Sequence, residues 1–227
     1  MATELTWLGH GCWLIESGGA SAILDPFLDD SPTAPIRSDA VEVDYVLISH
    51  GHFDHVADAA KIALRTKATV VSNFEICEWI QAQGVKKTEP LNLGGSCQLS
   101  FGQAKLTLAH HSSVLPDGTY GGNPGGFLLT LADGKIYFAC DTALFSDMKL
   151  IGAAGIDLAV LPIGDRFTMG VNDSLEAIRL IGPRRVAPAH YDTWPPIHQD
   201  AAAWARRVQG ETKAEPIVLA PGGKITL

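Results

Sequence analysis

The stretch "SHGHFDHV", Ser49 to Val56, puts three of the chain's eight histidines and an aspartate into one loop, directly after the apolar run "VDYVLIS". A chain leaving a strand in extended geometry points alternate side chains the same way, so His50 and His52 can face one metal ion. Asp54 and His55 are adjacent, and a turn into a following helix swings both toward a second point nearby. The pattern His50-x-His52-x-Asp54-His55 therefore suits two divalent ions better than one. Imidazole and carboxylate donors with no thiolate favour zinc, with manganese, iron or nickel as alternatives.

One such loop supplies at most two donors per ion, so further ligands are required at other strand ends. "LTLAHHSS" offers His110 and His111, "IYFACDT" offers Asp141, and "RVAPAHYDT" offers His190, each at the end of a β-type run. Open α/β sheets commonly gather their sites at the carboxyl ends of strands. A lone histidine is more often satisfied inside a core; three in one loop beside an aspartate argue for metal.

The surrounding sequence agrees with such a scaffold. Strand-like runs recur as "CWLIE", "SAILD", "DYVLIS", "ATVVS", "KLTLAHH", "GFLLTLA", "KIYFACD", "IDLAVLPIG", "RVAPAHY" and "PIVLA". Helical patterns lie between several of them, over Val56–Arg65, Glu75–Gln83, Ser146–Ala153, Ser174–Ile181 and Asp200–Val208, with Asn172 or Asp173 available to cap the fourth. "LADGKIYF" reads as a hairpin whose Asp133-Gly134 supplies positive φ. Alternating strands and helices mixed with hairpins indicate a layered α/β domain.

The 227 residues, 46% of them apolar, are enough for a core that buries about 70% of the unfolded chain's surface. One domain over residues 1–227 is the expectation. Seventeen basic against twenty-five acidic side chains give a net charge of −8, and the basic residues cluster no further than Lys86-Lys87, Arg184-Arg185 and Arg206-Arg207. Such a surface repels a polyanion and disfavours nucleic acid. The start "MATELTWLGHGCWLIES" has no basic leader and no later run is long enough to span a bilayer, so a cytoplasmic protein without a membrane partner is expected. Cys12, Cys77, Cys97 and Cys140 form no C-x-x-C pair and read as small buried hydrophobes. "GGSCQLSFG" and "GGNPGG" lack the lysine and the strand-to-helix context of a phosphate loop and read as turns.

Taken in order, "HGHFDH", "AHHSS", "ACDT" and "APAHY" resemble the metallo-β-lactamase superfamily over nearly the whole chain. With "GHGCWLIE", "ILDPFL", "DTALFSDMKLIG" and "LPIGDRFTMG", the likeness is to the branch of metal-dependent hydrolases related to the ascorbate-phosphate lactonases. The resemblance implies an αβ/βα four-layer sandwich of two mixed β-sheets with helices outside. By position it places His50, His52 and His111 on a first ion and Asp54, His55 and His190 on a second, with Asp141 bridging. A hydroxide held between the two cations is then the nucleophile, formed from a water whose proton Asp54 can accept, so no serine or cysteine nucleophile is needed. His111 rather than His110 is the expected ligand: alternation in "KLTLAHH" groups His110 with Leu106 and Leu108 on an apolar face, and the family's strand ends in a histidine shortly followed by serine.

His10 is expected to support the ligands or touch substrate, and His110 to pack or support. His198 is expected on the surface. Asn123, Asp165, Arg166, Thr168, Tyr191 and Thr193 are candidate pocket walls. The function implied is hydrolysis of an ester, lactone or phosphoester bond in a small anionic metabolite; a homo-oligomer is compatible with the sequence. An RNA-processing nuclease of the same superfamily should carry a basic surface, and a diiron oxidoreductase should have glutamate where His52 stands. β-Lactamase action itself is disfavoured because the likeness lies in another branch. A non-catalytic metal-binding or scaffolding protein that kept the fold should have lost a ligand, and all seven positions are filled.

Overall fold

The computed structural model describes residues 2–227. The first sheet opens with an antiparallel meander, β1 (Glu4–Trp7), β2 (Trp13–Ser17) and β3 (Ala20–Leu24). It continues in parallel with β4 (Tyr45–Leu47), β5 (Thr69–Asn73) and β6 (Thr88–Leu91). The second repeats that plan: β7 (Ser96–Leu99), β8 (Gly102–Leu108), β9 (Gly125–Leu131) and β10 (Lys135–Phe138) are antiparallel, then β11 (Leu158–Pro162), β12 (Arg185–Ala189) and β13 (Glu215–Pro216) follow in parallel. The last strand, β14 (Lys224–Thr226), returns to pair with β1, giving orders β14-β1-β2-β3-β4-β5-β6 and β13-β12-β11-β10-β9-β8-β7. The helices are α1 (Phe53–Val56), α2 (Ala59–Thr66), α3 (Phe74–Ala82), α4 (Met148–Gly152), α5 (Val171–Ile181) and α6 (Ala201–Glu211).

Alternation along the first sheet sorts its side chains into two layers. Leu24, Leu47 and Val71 face the second sheet and pack with Leu106, Phe127 and Phe138, whereas Ile23, Val46 and Val70 pack with Ile62, Ile76 and Ile80 of α2 and α3. Both faces of the parallel strands are thereby covered, which is why β11 is buried at every residue. Trp204 of α6 is completely buried and its indole N–H donates to Ser174 Oγ of α5 at 2.9 Å, tying the two outer helices over the second sheet. The two mixed sheets with flanking helices are the sandwich expected from the sequence.

Several local expectations are corrected. The helix over Val56–Arg65 is broken at Asp58, whose Oδ2 accepts from the amides of Leu28 (2.7 Å) and Asp29 (3.0 Å) and so turns the chain toward that loop. Neither Asn172 nor Asp173 caps α5: the helix starts at Val171 behind Gly170, and Asn172 Oδ1 accepts from Arg207 instead. Side-chain capping occurs at Asn73 on α3 and Asp200 on α6. The β9–β10 hairpin forms without positive φ at Asp133 or Gly134; Asp133 instead accepts from the Thr3 amide and hydroxyl. Of "PIVLA" only Pro216 joins a strand, at a sheet edge with no outer neighbour. The short strands β1, β6, β7 and β14 had no counterpart among the expected runs. Cys12, Cys77 and Cys97 are buried, Cys140 half-buried, and all four are free.

Because β1, β3 and β4 run in one direction, as do β8, β10 and β12, their carboxyl ends deliver His10, Asp25, the 49–55 loop, His111, Asp141 and His190 to one region between the sheets. Among the described residues no helix is long and apolar enough to cross a membrane.

Candidate metal centre

After β4 the loop stays extended through His52 (φ −64°, ψ 148°) and then winds into the single turn of α1, which carries Asp54 and His55 inward. Two donor groups result. In the first, His52 Nδ1 lies 3.0 Å from His50 Nε2 and 3.2 Å from His111 Nε2. In the second, Asp54 Oδ2 lies 3.8 Å from both His55 Nε2 and His190 Nε2. Asp141 stands between them: its Oδ1 is 3.5 Å from His55 Nε2, and its Oδ2 is 3.5 Å from His111 Nε2, 4.0 Å from His50 Nε2 and 3.0 Å from His190 Nε2. All seven residues proposed from the sequence therefore meet at one place.

A supporting layer holds these side chains. Asp25 Oδ1 accepts from the Ser49 amide at 2.7 Å; its Oδ2 faces the Ser49 hydroxyl at 2.6 Å and His55 Nδ1 at 2.9 Å. With the Ser49 hydroxyl donating to Asp25, its oxygen is left to accept from His50 Nδ1 at 3.0 Å. This arrangement turns the Nε2 atoms of both His50 and His55 toward Asp141. On the other side Asp54 Oδ2 is held by His10 Nε2 at 3.0 Å, and His10 Nδ1 meets the Thr193 hydroxyl at 2.7 Å. Backbone strain concentrates here as well: among the described residues, His10, Asp25, Cys140 and His190 are four of the seven non-glycine residues with positive φ, each costing of order 1 kcal/mol that packing must sustain. Gly164 admits the His190 backbone, since a Cβ there would stand 2.3 Å from the His190 carbonyl oxygen.

The electrostatics match a cation site. Burial alone would raise Asp54 and Asp141, but the surrounding histidines hold both carboxyls well below the usual carboxylate range. Burial opposes protonation of His55 and His190, yet the facing carboxylates Asp141, Asp25 and Asp54 raise His55, and Asp141 with Asp54 raises His190 to about 9. Burial, with His55 next to them, lowers His50 and His52, and burial lowers His111. His10, deeply buried beside His190, falls to about 4 and is neutral. Among the described residues His55 Nε2 and His190 Nε2 are buried with no hydrogen-bond partner; the 3.0 Å approach of His190 to Asp141 lies off the N–H direction. Orphaned buried nitrogens each cost about 1–3 kcal/mol, and two of them aimed among carboxylates fit a bound divalent cation.

The remaining candidates divide. His10 and Thr193 support Asp54 as described. His110 turns away and stacks on Phe145 (5.0 Å, 9°), but not for the reason of alternation: Leu106 and Thr107 are both buried and Leu108 is exposed, so the strand's parity is lost before the histidines. Asn123 is exposed outside the cleft, its carbonyl accepting from Asn73. Tyr191 is buried against Trp7 (5.4 Å, 18°), where burial pushes its hydroxyl up to about 12. Asp165, Arg166 and Thr168 do not line the cleft; Phe167 between them does. His198 is exposed and pairs with Asp192 at 2.8 Å. The sequence reading missed Asp25 and Ser49, whose signal was a carboxylate directly after a strand in "ILDPFL", and the aromatic residues Phe53, Phe167 and Trp194. Those three, with five of the seven donor residues, line an open cleft of about 420 Å³.

Two mixed sheets with an H-x-H-x-D-H loop and outlying histidine, aspartate and histidine at their shared edge define a metal-dependent hydrolase of the metallo-β-lactamase fold. Residues 4–190 match the Beta-lactamase superfamily domain, and the chain belongs to that family. It is similar to a UPF0173 metal-dependent hydrolase of Thermus thermophilus, 46% identical over 225 residues and 99% of each chain. A UPF0173 metal-dependent hydrolase of Bacillus cereus is 43% identical over 230 residues, 99% of this chain and 100% of that one. Among solved structures, the metallo hydrolase Igni18 of the archaeon Ignicoccus hospitalis superposes with a TM-score of 0.90 at 32% identity, covering 100% of this chain and 99% of the other.

Proposed function

We propose that residues 1–227 act as one dinuclear hydrolase domain in which His50, His52 and His111 hold one divalent ion, Asp54, His55 and His190 hold a second, and Asp141 bridges. Zinc suits the nitrogen and oxygen donors, with manganese, iron or nickel as alternatives. When bound, the ions supply the charge that lowers the pKa of a water toward neutrality and polarises the scissile group. The observation that carries this reading is the position of Asp141, whose two oxygens face histidines of both donor groups.

The chain's own residues then have distinct tasks. His10, held by Thr193, contacts Asp54 Oδ2 and so fixes the carboxylate. Asp54 takes a proton from the attacking water and returns it to the leaving oxygen as the acyl–oxygen or phosphorus–oxygen bond breaks. Asp25 and Ser49 keep His50 and His55 in the tautomers that direct Nε2 inward. The substrate is an ester, lactone or phosphoester of a small molecule whose scissile carbonyl or phosphoryl oxygen is drawn to the ions.

The test is elemental analysis of reconstituted protein followed by turnover on phosphodiester, lactone and thioester panels. Two ions per chain with hydrolysis of at least one class supports the reading; filled sites with no hydrolysis favour a non-catalytic metal protein. Tight, steeply salt-dependent RNA binding would favour the nuclease reading, which the −8 charge opposes.

A further inference from the structure

Hydrolysis at the metal centre gives no task to Phe53, Phe167 and Trp194, yet all three line the cleft above it. Phe53 and Phe167 are each 56% exposed, and a folded chain that leaves large apolar rings open beside a reactive centre is presenting them to something. Phe53 occupies the middle of the metal loop, between His52 and Asp54, so its place beside the centre is set by the ligands themselves.

The aromatic wall is preformed. Phe27, 1% exposed, stands edge-on to Phe53 (5.7 Å, 85°) and 5.8 Å from Trp194, and Phe53 and Trp194 are 6.0 Å apart. Trp194 is also edge-on to His10 at 5.1 Å, which couples the wall to the residue that holds Asp54. Phe167 comes from another loop, fixed by the Asp165 amide on the Met169 carbonyl (3.2 Å) and the Met169 amide on the Thr142 carbonyl (2.8 Å). No lysine, arginine, asparagine or glutamine is among the residues lining the cleft, and the guanidinium of Arg166 lies over the Phe167 ring, 5.9 Å from its centre. Apart from the histidine and aspartate donors and the indole of Trp194, Ser112 is the one polar side chain lining it. A substrate with a polar or charged body would lose hydration in this cleft and find few partners, whereas an apolar group gains the rings' contact.

We propose that the cleft is a specificity pocket for an uncharged, apolar acyl or aryl group of the substrate, packed on Phe53, Phe167 and Trp194 while the reacting group sits at Asp54 and Asp141. The proposal rests on the hydrolase reading above.

Three hydroxamates test it, because they share one metal-chelating head and differ in the group that enters the cleft: acetohydroxamate, phenylacetohydroxamate and the monohydroxamate of succinate. Binding to metal-reconstituted protein is measured by calorimetry. Phenylacetohydroxamate is expected to bind at least about tenfold more tightly than acetohydroxamate, and the succinate compound no more tightly than acetohydroxamate. Phe167→Ala, and separately Phe53→Ser, should cut the phenyl-over-methyl ratio at least about threefold. Equal affinity for phenyl and methyl, or tightest binding by the succinate compound, overturns the apolar pocket and leaves the metal centre standing. Binding of none of the three overturns both.

Discussion

Asp25 Oδ2 lies 2.9 Å from His55 Nδ1 and 2.6 Å from the Ser49 hydroxyl, and that hydroxyl is 3.0 Å from His50 Nδ1. One buried carboxylate thus orients an imidazole in each donor group. Outer partners of this kind are typically worth about 10–100-fold in metal affinity. Asp25→Ala is expected to weaken both ions by that order in competition with a chromophoric chelator. Ser49→Ala should weaken chiefly the ion held by His50. Unchanged affinity in Asp25→Ala would remove the residue from the site's support.

Metal content should separate the two neighbouring histidines. His111→Ala is expected to fall from two ions per chain to one, and His110→Ala, whose ring stacks on Phe145, to keep both. Asp141→Ala should lose both, since its oxygens face both groups. If elemental analysis finds His110→Ala depleted and His111→Ala full, the ligand assignment is reversed.

Asp54 lines the cleft and belongs to neither hydrophobic cluster. Asp54→Ala is expected to abolish hydrolysis while far-ultraviolet circular dichroism stays that of the parent. His10→Ala should act through the same carboxylate and also unfold more easily, by about 1–3 kcal/mol, because Asp54 Oδ2 and the Thr193 hydroxyl lose their partner in a buried setting. Turnover that survives Asp54→Ala sinks the proton-transfer role.

Gly164 is a position where a single methyl should reach the metal centre through the backbone. Its Cβ would stand 2.3 Å from the His190 carbonyl oxygen, so Gly164→Ala must displace the end of β12. Overpacking of this kind costs about 1–3 kcal/mol. Thermal denaturation should show that loss, and chelator competition a weaker ion at the Asp54 group; parental values in both would mean that the His190 backbone moves freely.

The metal loop was legible because its information is local. Four donors lie within six residues, and strand alternation followed by one helical turn is enough to sort His50 and His52 from Asp54 and His55. The parallel strands were legible for a related reason: buried on both faces, β11 and its neighbours are continuous apolar runs bounded by turns. Strands such as β6 and β14, short and half-exposed, lack that contrast.

Tertiary structure decided the rest. Asp25 reaches His55 across 30 positions of sequence and His10 reaches Thr193 across 183, and no periodicity relates residues so far apart. The alternation argument for His111 failed at Leu108 although His111 is the histidine that faces Asp141, because a strand's last residues follow the packing of the loop they enter. Tyr191, a candidate pocket wall, is not one, and Trp194, for which the sequence suggested no role, is: the chain turns at Asp192 (φ 58°), with the tyrosine on Trp7 and the tryptophan in the cleft. The residue types and their local spacing were enough to point to a cluster of histidines and aspartates fit for a metal ion. Which groups orient it, and which rings stand over it, was settled where loops from both sheets compete for one small volume, an outcome of packing that no single segment contains.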